Sequence, residues 1–309
     1  MTERKPSLLK QAATQVGAGG TAGFVEVCIM HPLDLIKTRM QLQGVKAEVL
    51  SSEGINRVYY DGLFDCVQKM FRHEGILSFY KGILPPIMAE TPKRAVKFFT
   101  FEQYKNFFSL GSTTVTPFIY SLAGAAAGVT EAIVINPFEV VKVSLQSDRN
   151  KLNLSPSTYS VTRQIIKTGG LGLNGLNKGL TATVFRNGVF NMIYFGFYHS
   201  VKDKIPKIHD ATGEFFKKLL IGFSAGTLAS CMNIPFDVAK SRMQGPQPKI
   251  GEVKYKSLFP TMHTIYKEEG WRALYKGLLP KVMRLGPGGA VMLVVYDLMS
   301  EFIQKKFPD

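Results

Sequence analysis

PLDLIKTRMQ (residues 32–41), PFEVVKVSLQ (137–146) and PFDVAKSRMQ (235–244) are three versions of one ten-residue stretch, here called the signature. They align without gaps and lie 105 and 98 residues apart in a chain of 309 residues. Each is preceded by a GxxxG pair and followed by a Lys-Gly pair at matching distances. Self-similarity at a fixed period indicates a repeat architecture. The sequence therefore predicts three copies of one unit, at residues 11–110, 114–206 and 213–304.

Each copy contains two long apolar segments joined by a polar stretch. The segments are roughly 25 to 30 residues long, enough at about 1.5 Å per residue to cross a hydrocarbon core of about 30 Å. The polar stretch carries a short segment whose apolar spacing fits a surface helix, at residues 63–75, 161–170 and 258–270. The sequence predicts an all-α membrane protein with six transmembrane helices and three short amphipathic helices.

The mean hydropathy of +0.04 also suits a soluble protein, so the glycines decide between the two classes. Each repeat opens with GxxxG, at residues 19–23, 124–128 and 222–226. A glycine inside a helix costs about 1 kcal/mol in water, whereas in a bilayer GxxxG lets helix backbones approach closely. This pattern favours the membrane class.

Charge placement gives an orientation. The chain carries 38 Lys and Arg against 23 Asp and Glu, a formal charge of +15, and 21 of the 38 lie in the stretches 37–81, 142–178 and 240–276. By the positive-inside bias these stretches face the more negative compartment, with both termini on the other side.

The three cysteines, Cys28, Cys66 and Cys231, are widely spaced without a CxxC, which argues against a disulfide framework or a zinc site.

Within each signature an acid precedes a base by three residues. On one helix such neighbours form a local ion pair worth a few tenths of a kcal/mol. Three symmetric copies around one axis favour a ring of ion pairs between helices instead. The signature prolines remove a backbone donor, which predicts kinks that narrow the bundle toward this ring.

The chain resembles the mitochondrial carrier family over essentially its whole length, because the Px[DE]xx[KR] pattern occurs three times in register. The resemblance implies a monomeric six-helix bundle in the inner mitochondrial membrane, with cardiolipin as a bound lipid and one central site opened alternately to each side. Residues 81–105, 175–198 and 276–297 resemble members that exchange 2-oxoadipate, 2-oxoglutarate and related C5 to C7 dicarboxylates in lysine and tryptophan catabolism. Such members are transporters without a cofactor, not enzymes.

The resemblance also implies how the ring closes. The acid of one repeat pairs with the base of the next, which forms a matrix-side gate. The expected pairs are Asp34–Lys142, Glu139–Lys240 and Asp237–Lys37. Gln41, Gln146 and Gln244, four residues after each ring lysine, match the family's glutamine braces, which bridge the pairs.

A second, cytoplasmic ring is incomplete. Its acid and base positions are Glu102 and Lys105, His199 and Lys202, and Asp297 and Ser300. Only one direction of pairing leaves no orphan charge, and it predicts Glu102–Lys202, Asp297–Lys105 and a neutral His199–Ser300 contact. Tyr198 and Tyr296 precede two of these positions and are candidate braces.

The substrate site is expected where the repeats differ. Seven residues after each Lys-Gly glycine stand Ala89, Arg186 and Arg284. Arginine matches a carboxylate bidentately, and two arginines at membrane depth require water or an anion beside them. Asn187 is then expected to contact a keto oxygen, Lys97 to supply a third cation, and Glu90 to lie beside them.

Glu26 and Glu131 lie at equivalent places, six residues before Pro32 and Pro137. Acids at membrane depth are candidates for proton coupling if burial raises their pKa. They are equally candidates for structural partners of the cavity arginines. The sequence leaves both interpretations open.

Other classes fit less well. A nucleotide carrier of the same fold needs an adenine pocket where Arg186 and Asn187 stand, whereas a tricarboxylate or simple dicarboxylate carrier would use the same cations. A soluble phosphate-binding enzyme is disfavoured because GAGGTAG (17–23) has Ala22 in place of the third glycine of GxGxxG. No nucleic-acid partner, metal-ligand spacing or nucleophile–base pair is indicated.

Overall fold

The part of the chain that the structure describes forms nine α-helices, and their bounds follow the repeat. The computed structural model describes residues 8–44, 58–109, 116–150, 154–202, 204–206, 210–247 and 253–306. In chain order the helices are α1 (Leu8–Leu42), α2 (Leu63–Glu74), α3 (Leu84–Ser109), α4 (Pro117–Ser147), α5 (Thr158–Gly169), α6 (Leu180–Lys202), α7 (Ala211–Gln244), α8 (Leu258–Glu269) and α9 (Leu278–Lys306). The described residues contain no strand, so the predicted all-α fold class is confirmed.

Six long helices among the described residues form a closed ring. Neighbours in the ring follow chain order, with α1 against α3, α3 against α4, α4 against α6, α6 against α7, α7 against α9 and α9 against α1. Each of α1, α4 and α7 contains its signature proline, at Pro32, Pro137 and Pro235. The ring therefore brings the three signatures together at one end of the bundle, here called the signature end.

The short helices α2, α5 and α8 lie at the signature end and pack on the long helix that precedes them. Leu35 and Ile36 of α1 pack against Leu63, Cys66 and Met70 of α2, and all five side chains are buried. The same arrangement recurs where α7 meets α8 and where α4 meets α5. The predicted amphipathic segments thus form three small cores that hold the signature ends of α1, α4 and α7.

The Lys-Gly pairs mark the turn into α3, α6 and α9. Gly82, Gly179 and Gly277 have φ values of +65°, +69° and +82°, a left-handed region that favours glycine. Each lies against a long helix of another repeat; Gly277, for example, has the Lys37 carbonyl oxygen 3.2 Å from the place a Cβ would take. The repeated glycine is therefore both a turn and a close inter-repeat contact.

Hydropathy alone identifies only half of the predicted spans. By length and composition, three helices among the described residues are apolar enough to cross a membrane: Pro117–Ser147, Thr212–Gln244 and Trp271–Ile303. The helices α1, α3 and α6 have 35, 26 and 23 residues. Their polar residues, such as Asp34, Lys93 and Arg186, face a central cavity, which lowers their mean hydropathy.

The GxxxG pairs behave differently in the three repeats, which corrects the uniform role expected of them. A Cβ on Gly128 would lie 2.6 Å from the Asn187 carbonyl oxygen, and one on Gly124 would lie 2.9 Å from the Asn191 carbonyl oxygen. Gly19 has no atom within 4 Å of that place, and Gly226 meets only the Leu285 side chain at 3.3 Å. Among the GxxxG glycines, close approach to another helix's backbone is confined to those of α4, which meet α6.

Candidate functional site

A cavity of about 620 Å³ lies between the six long helices. Eight basic and five acidic side chains line it. The surplus of positive charge along the walls of this cavity favours anions. All six residues predicted to bind substrate line this cavity: Ala89, Glu90, Lys97, Arg186, Asn187 and Arg284.

Three ion pairs between helices close the cavity at the signature end. The Lys142 ammonium lies 3.0 Å from the Asp34 carboxylate, and the Lys37 ammonium lies 2.9 Å from Asp237. Lys240 lies 2.5 Å from Glu139. The structure thus brings together each acid with the base of another repeat, in the pairing that the family resemblance implies.

Each of the two cavity arginines also contacts acids of the signature-end ring. Arg186 on α6 lies 2.8 Å from Glu139 and 3.6 Å from Asp237. Arg284 on α9 lies 2.8 Å from Asp34 and 2.6 Å from Glu26. The sequence placed these arginines and the ring in separate sites, but the structure joins them in one network.

A second group of charges lies between α1 and α3. Glu90 accepts hydrogen bonds from Arg94 at 2.5 Å and from Lys93 at 3.4 Å. Arg94 also reaches Glu26, at 3.6 Å. Glu26 therefore lies between two arginines, as a structural partner of both.

Glu131 has different surroundings. Its side chain is buried, and the only hydrogen bond to it within the described part of the chain comes from the Asn191 amide at 3.5 Å. Lys97 lies over the Phe195 ring at 5.6 Å and forms no ion pair with any described acid. Glu131 and Lys97 thus line the cavity without an ion-pair partner in the described structure.

Amide side chains on α6 add polar groups to the wall. Asn187 is 6% exposed, and its Nδ2 donates to no described atom. Asn191 lies one turn further along the same face and also lines the cavity. A buried amide donor without a partner is costly, and a ligand oxygen would satisfy it.

The glutamines do not bridge the ring pairs in the described structure, which corrects the brace prediction. Gln41 accepts a hydrogen bond from Ser241 at 2.7 Å, and Gln244 donates to Asn136 at 3.0 Å and Thr183 at 3.2 Å. The Gln146 side chain has no described hydrogen-bond partner. Four residues after the ring lysine, the three side chains lie one turn beyond the ion pairs, where Gln41 and Gln244 tie helix to helix.

The opposite ring is open in this conformation. Lys105 pairs with Glu102 of its own helix, and Lys202 and Asp297 are exposed. His199 stacks on Tyr120 with ring centroids 3.6 Å apart, and the Ser300 hydroxyl has no hydrogen bond among the described residues. The described helices therefore form none of the expected pairings Glu102–Lys202 and Asp297–Lys105. Tyr198 packs on His199 and Tyr194, and Tyr296 is half-buried.

Two buried clusters on the signature end were not identified from the sequence. Arg242 makes a bidentate pair with Glu269, which also accepts from Lys276 at 2.7 Å. Burial raises the pKa of the Glu269 carboxyl, but the hydrogen bonds and charges of Arg242 and Lys276 outweigh it and hold the pKa below its usual value. Arg39, Glu74 and Lys81 form the matching cluster in the first repeat.

The second repeat lacks this cluster because Ser144 and Gly169 stand in place of the arginine and the acid. The signal was available, since Arg39 and Arg242 each follow the ring lysine by two residues in the signature.

Lys281 is a further cavity residue that sequence reasoning missed. Its ammonium lies 2.7 Å from Asp237. It follows Gly277 by four residues, where the other repeats have Pro86 and Thr183. The same comparison of repeats that singled out Arg186 and Arg284 would have found it.

The described residues contain no group of His, Cys, Asp and Glu side chains that would hold a metal ion. The three cysteines are free, and burial raises the pKa of the Cys66 thiol to about 12. The side chains that line the cavity offer charge and hydrogen-bonding groups.

Known proteins resemble the chain over nearly its whole length. A family model described as "Mitochondrial carrier protein" matches residues 10–112, 113–209 and 211–307. The chain is 58% identical to the mitochondrial 2-oxodicarboxylate carrier of Bos taurus, covering 98% of this chain and 99% of the relative. It is 57% identical to that of Homo sapiens, with 97% and 98% covered. It is 40% identical to mitochondrial 2-oxodicarboxylate carrier 2 of Saccharomyces cerevisiae, with 93% and 92% covered.

Proposed function

The chain belongs to the mitochondrial carrier family, a multi-pass family of the inner mitochondrial membrane, and from that premise we propose that it exchanges 2-oxodicarboxylates by alternating access. Its substrates are 2-oxoadipate, 2-oxoglutarate and related C5 to C7 dicarboxylates, in support of lysine and tryptophan catabolism. The observation that carries the proposal is a pair of arginines, Arg186 and Arg284, facing one cationic cavity from different repeats. The relatives named as 2-oxodicarboxylate carriers support the same substrate class.

The cavity offers a group for each part of such a substrate. Arg186 and Arg284 bind the two carboxylates, since each guanidinium matches a carboxylate with two parallel hydrogen bonds. Lys97 adds a cation without a described acidic partner. Asn187 donates its unpartnered amide to the keto oxygen, while Ala89 and Glu90 shape the wall on α3.

Binding weakens the ring because both arginines already hold ring acids. A substrate carboxylate on Arg284 competes with Asp34, and one on Arg186 competes with Glu139. Asp34 and Glu139 then each keep only their ring lysine. The bound anion thus lowers the free energy needed to open the signature end, which is how a ligand shifts a two-state equilibrium.

The closed end faces the matrix. The excess of Lys and Arg in the stretches after each signature supports this orientation, and it places both termini toward the intermembrane space. The six ring residues and their three ion pairs then form the matrix gate. In the alternate state Glu102–Lys202, Asp297–Lys105 and His199–Ser300 close the cytoplasmic side, with Tyr198 and Tyr296 beside them.

Of the two buried acids, Glu131 is the proton-coupling candidate. Glu26 lies between Arg284 and Arg94 and pairs with both. Glu131 has only the Asn191 amide as a described hydrogen-bond partner, so a proton on it removes no described ion pair.

The protein works as a monomer, because residues of all six long helices of one chain line the cavity. Cardiolipin is its expected lipid partner from the family. It acts as a carrier without a cofactor, and not as an enzyme.

Exchange by the purified protein in liposomes tests the proposal. Vesicles loaded with 2-oxoglutarate are expected to take up labelled 2-oxoadipate and 2-oxoglutarate, whereas empty vesicles take up neither. Uptake of ADP or citrate without 2-oxoadipate uptake would contradict the substrate class and favour a nucleotide or tricarboxylate carrier.

A further inference from the structure

Lys281 breaks the three-fold pattern in the wall of the cavity. The equivalent residues, four after the Lys-Gly glycine, are Pro86 and Thr183. A gate built from three equal ion pairs has no need of a cation in one repeat alone. A charge unique to one repeat points to a ligand that lacks three-fold symmetry.

The contacts of Lys281 place it beside Arg186. Its ammonium lies 2.7 Å from Asp237 Oδ2, while Arg186 lies 3.6 Å from Asp237 Oδ1. Lys281 also lies over the Phe190 ring at 5.4 Å. Phe190 follows Arg186 by four residues on α6, so the lysine is held between α6 and α7.

The charge at this corner is unbalanced. Three cations, Lys37, Lys281 and Arg186, surround the single carboxylate of Asp237, whose side chain is 3% exposed. Each of the other two ring acids has two basic side chains within 4 Å. A second carboxylate is therefore favoured here more than elsewhere along the ring.

We propose that Lys281 and Arg186 together bind one carboxylate of the transported anion, which deepens the proposed function and rests on it. The two cations already flank one carboxylate from either side, so a substrate carboxylate takes the place of Asp237 between them. Asp237 then keeps Lys37 as its partner. Arg284 then binds the other carboxylate. Lys281 and Arg186 fix one end of the substrate, and the chain length that fits is the distance from that end to the carboxylate on Arg284.

Exchange kinetics of Lys281→Met and Lys281→Arg in liposomes test this. The Met variant is expected to raise KM for 2-oxoglutarate about tenfold or more, because a charged hydrogen bond to the substrate is lost. The Arg variant keeps the charge and is expected to stay within a few-fold of the wild type. Lys218→Met is the control, since it removes the same charge from an exposed position in the same cavity; its KM is expected to stay within about twofold.

Two results would overturn the assignment. One is a Met variant that keeps the wild-type KM; the other is a lower maximal rate with unchanged KM, which is the mark of a gate residue alone. The wild-type protein tests the proposed function separately. If the wild type does not exchange 2-oxoglutarate, the proposed function is wrong, whereas the role of Lys281 is tested only by comparing its variants with an active wild type.

Lysine labelling of the unmodified protein covers the case in which the Met variant does not fold. Saturating 2-oxoglutarate is expected to slow the reaction of Lys281 with an amine reagent, measured by mass spectrometry, more than that of Lys218. Equal labelling with and without 2-oxoglutarate, in a wild type that exchanges it, would also overturn the assignment.

Discussion

The guanidinium of Arg284 lies 2.8 Å from the carboxylate of Asp34, so a residue of the cavity wall and an acid of the ring share one hydrogen bond. Asp34 also accepts from Lys142 at 3.0 Å. The cavity and the gate are therefore one electrostatic unit, and an anion that binds Arg284 changes the partners of the ring directly.

Arg186→Ala and Arg284→Ala are each expected to abolish exchange while the protein still inserts and melts cooperatively. Each change removes a substrate contact, and a lost partner in a buried charged pair costs about 2–5 kcal/mol in binding, or a factor of 30 or more. Labelled 2-oxoglutarate uptake in liposomes measures the loss. Arg284→Lys is the control, since it keeps the charge without the bidentate geometry and should retain part of the activity; wild-type rates in either alanine variant would refute the site.

Gly128→Ala is expected to destabilise the protein, because the new Cβ would lie 2.6 Å from a backbone oxygen of α6. Overpacking of this kind costs about 1–3 kcal/mol. Gly19→Ala is the control, since Gly19 is a GxxxG glycine of the first repeat with open space around its Cβ position. It is expected to be neutral or to stabilise α1 by up to about 1 kcal/mol. Melting temperatures of the detergent-solubilised variants distinguish the two, and equal shifts would contradict the packing difference.

The repeat made much of this fold predictable from the sequence. Gapless alignment of the signatures fixes which residues are equivalent, symmetry around one axis indicates a ring of charges, and the family resemblance implies that Asp34 pairs with Lys142 in it. The same comparison singles out Arg186 and Arg284, because differences between equivalent positions stand out against the pattern.

The remaining features depend on packing across helices, which the repeat does not encode. Gly19 and Gly124 occupy equivalent positions, but only Gly124 meets a backbone, because α4 lies closer to α6 than α1 lies to α3. Gln41 and Gln244 share a helical face with the ring lysines, yet the nearest polar groups one turn along are uncharged. The attachment of Arg284 to Asp34 likewise needs the depth of α9 relative to α1.

Glu269→Gln is expected to lower stability at neutral pH and to flatten its dependence on acid pH. The carboxylate is buried and paired with Arg242 and Lys276, and its pKa is held below the ordinary value of 4.5. Because the pKa of this carboxyl is lower in the folded than in the unfolded protein, its ionised form stabilises the fold. That stabilisation is complete above the pKa of the unfolded protein and is lost as the pH falls through the pKa of the folded protein. Breaking such a buried pair costs about 3 kcal/mol or more.

Melting temperature in detergent, measured from pH 7 down to the onset of acid unfolding, checks this difference between wild type and variant. Glu268→Gln is the control, because the neighbouring acid pairs with Lys254 at the surface and such pairs contribute about 1 kcal/mol or less. A variant whose acid-induced loss parallels the wild type would exclude Glu269 as a source of the pH dependence.

Completing the opposite ring is expected to slow exchange. His199→Asp with Ser300→Lys supplies the acid and base that the second and third repeats lack, so the closed state of that end gains a third ion pair. His199→Asp alone also removes the stack on Tyr120, which is why both single variants are needed as references. In a double-mutant cycle the pair is expected to couple by about 0.5–3 kcal/mol, seen as a lower maximal exchange rate and a higher melting temperature than the singles predict. Additive effects on both measurements would mean that positions 199 and 300 do not meet when the cavity closes at this end.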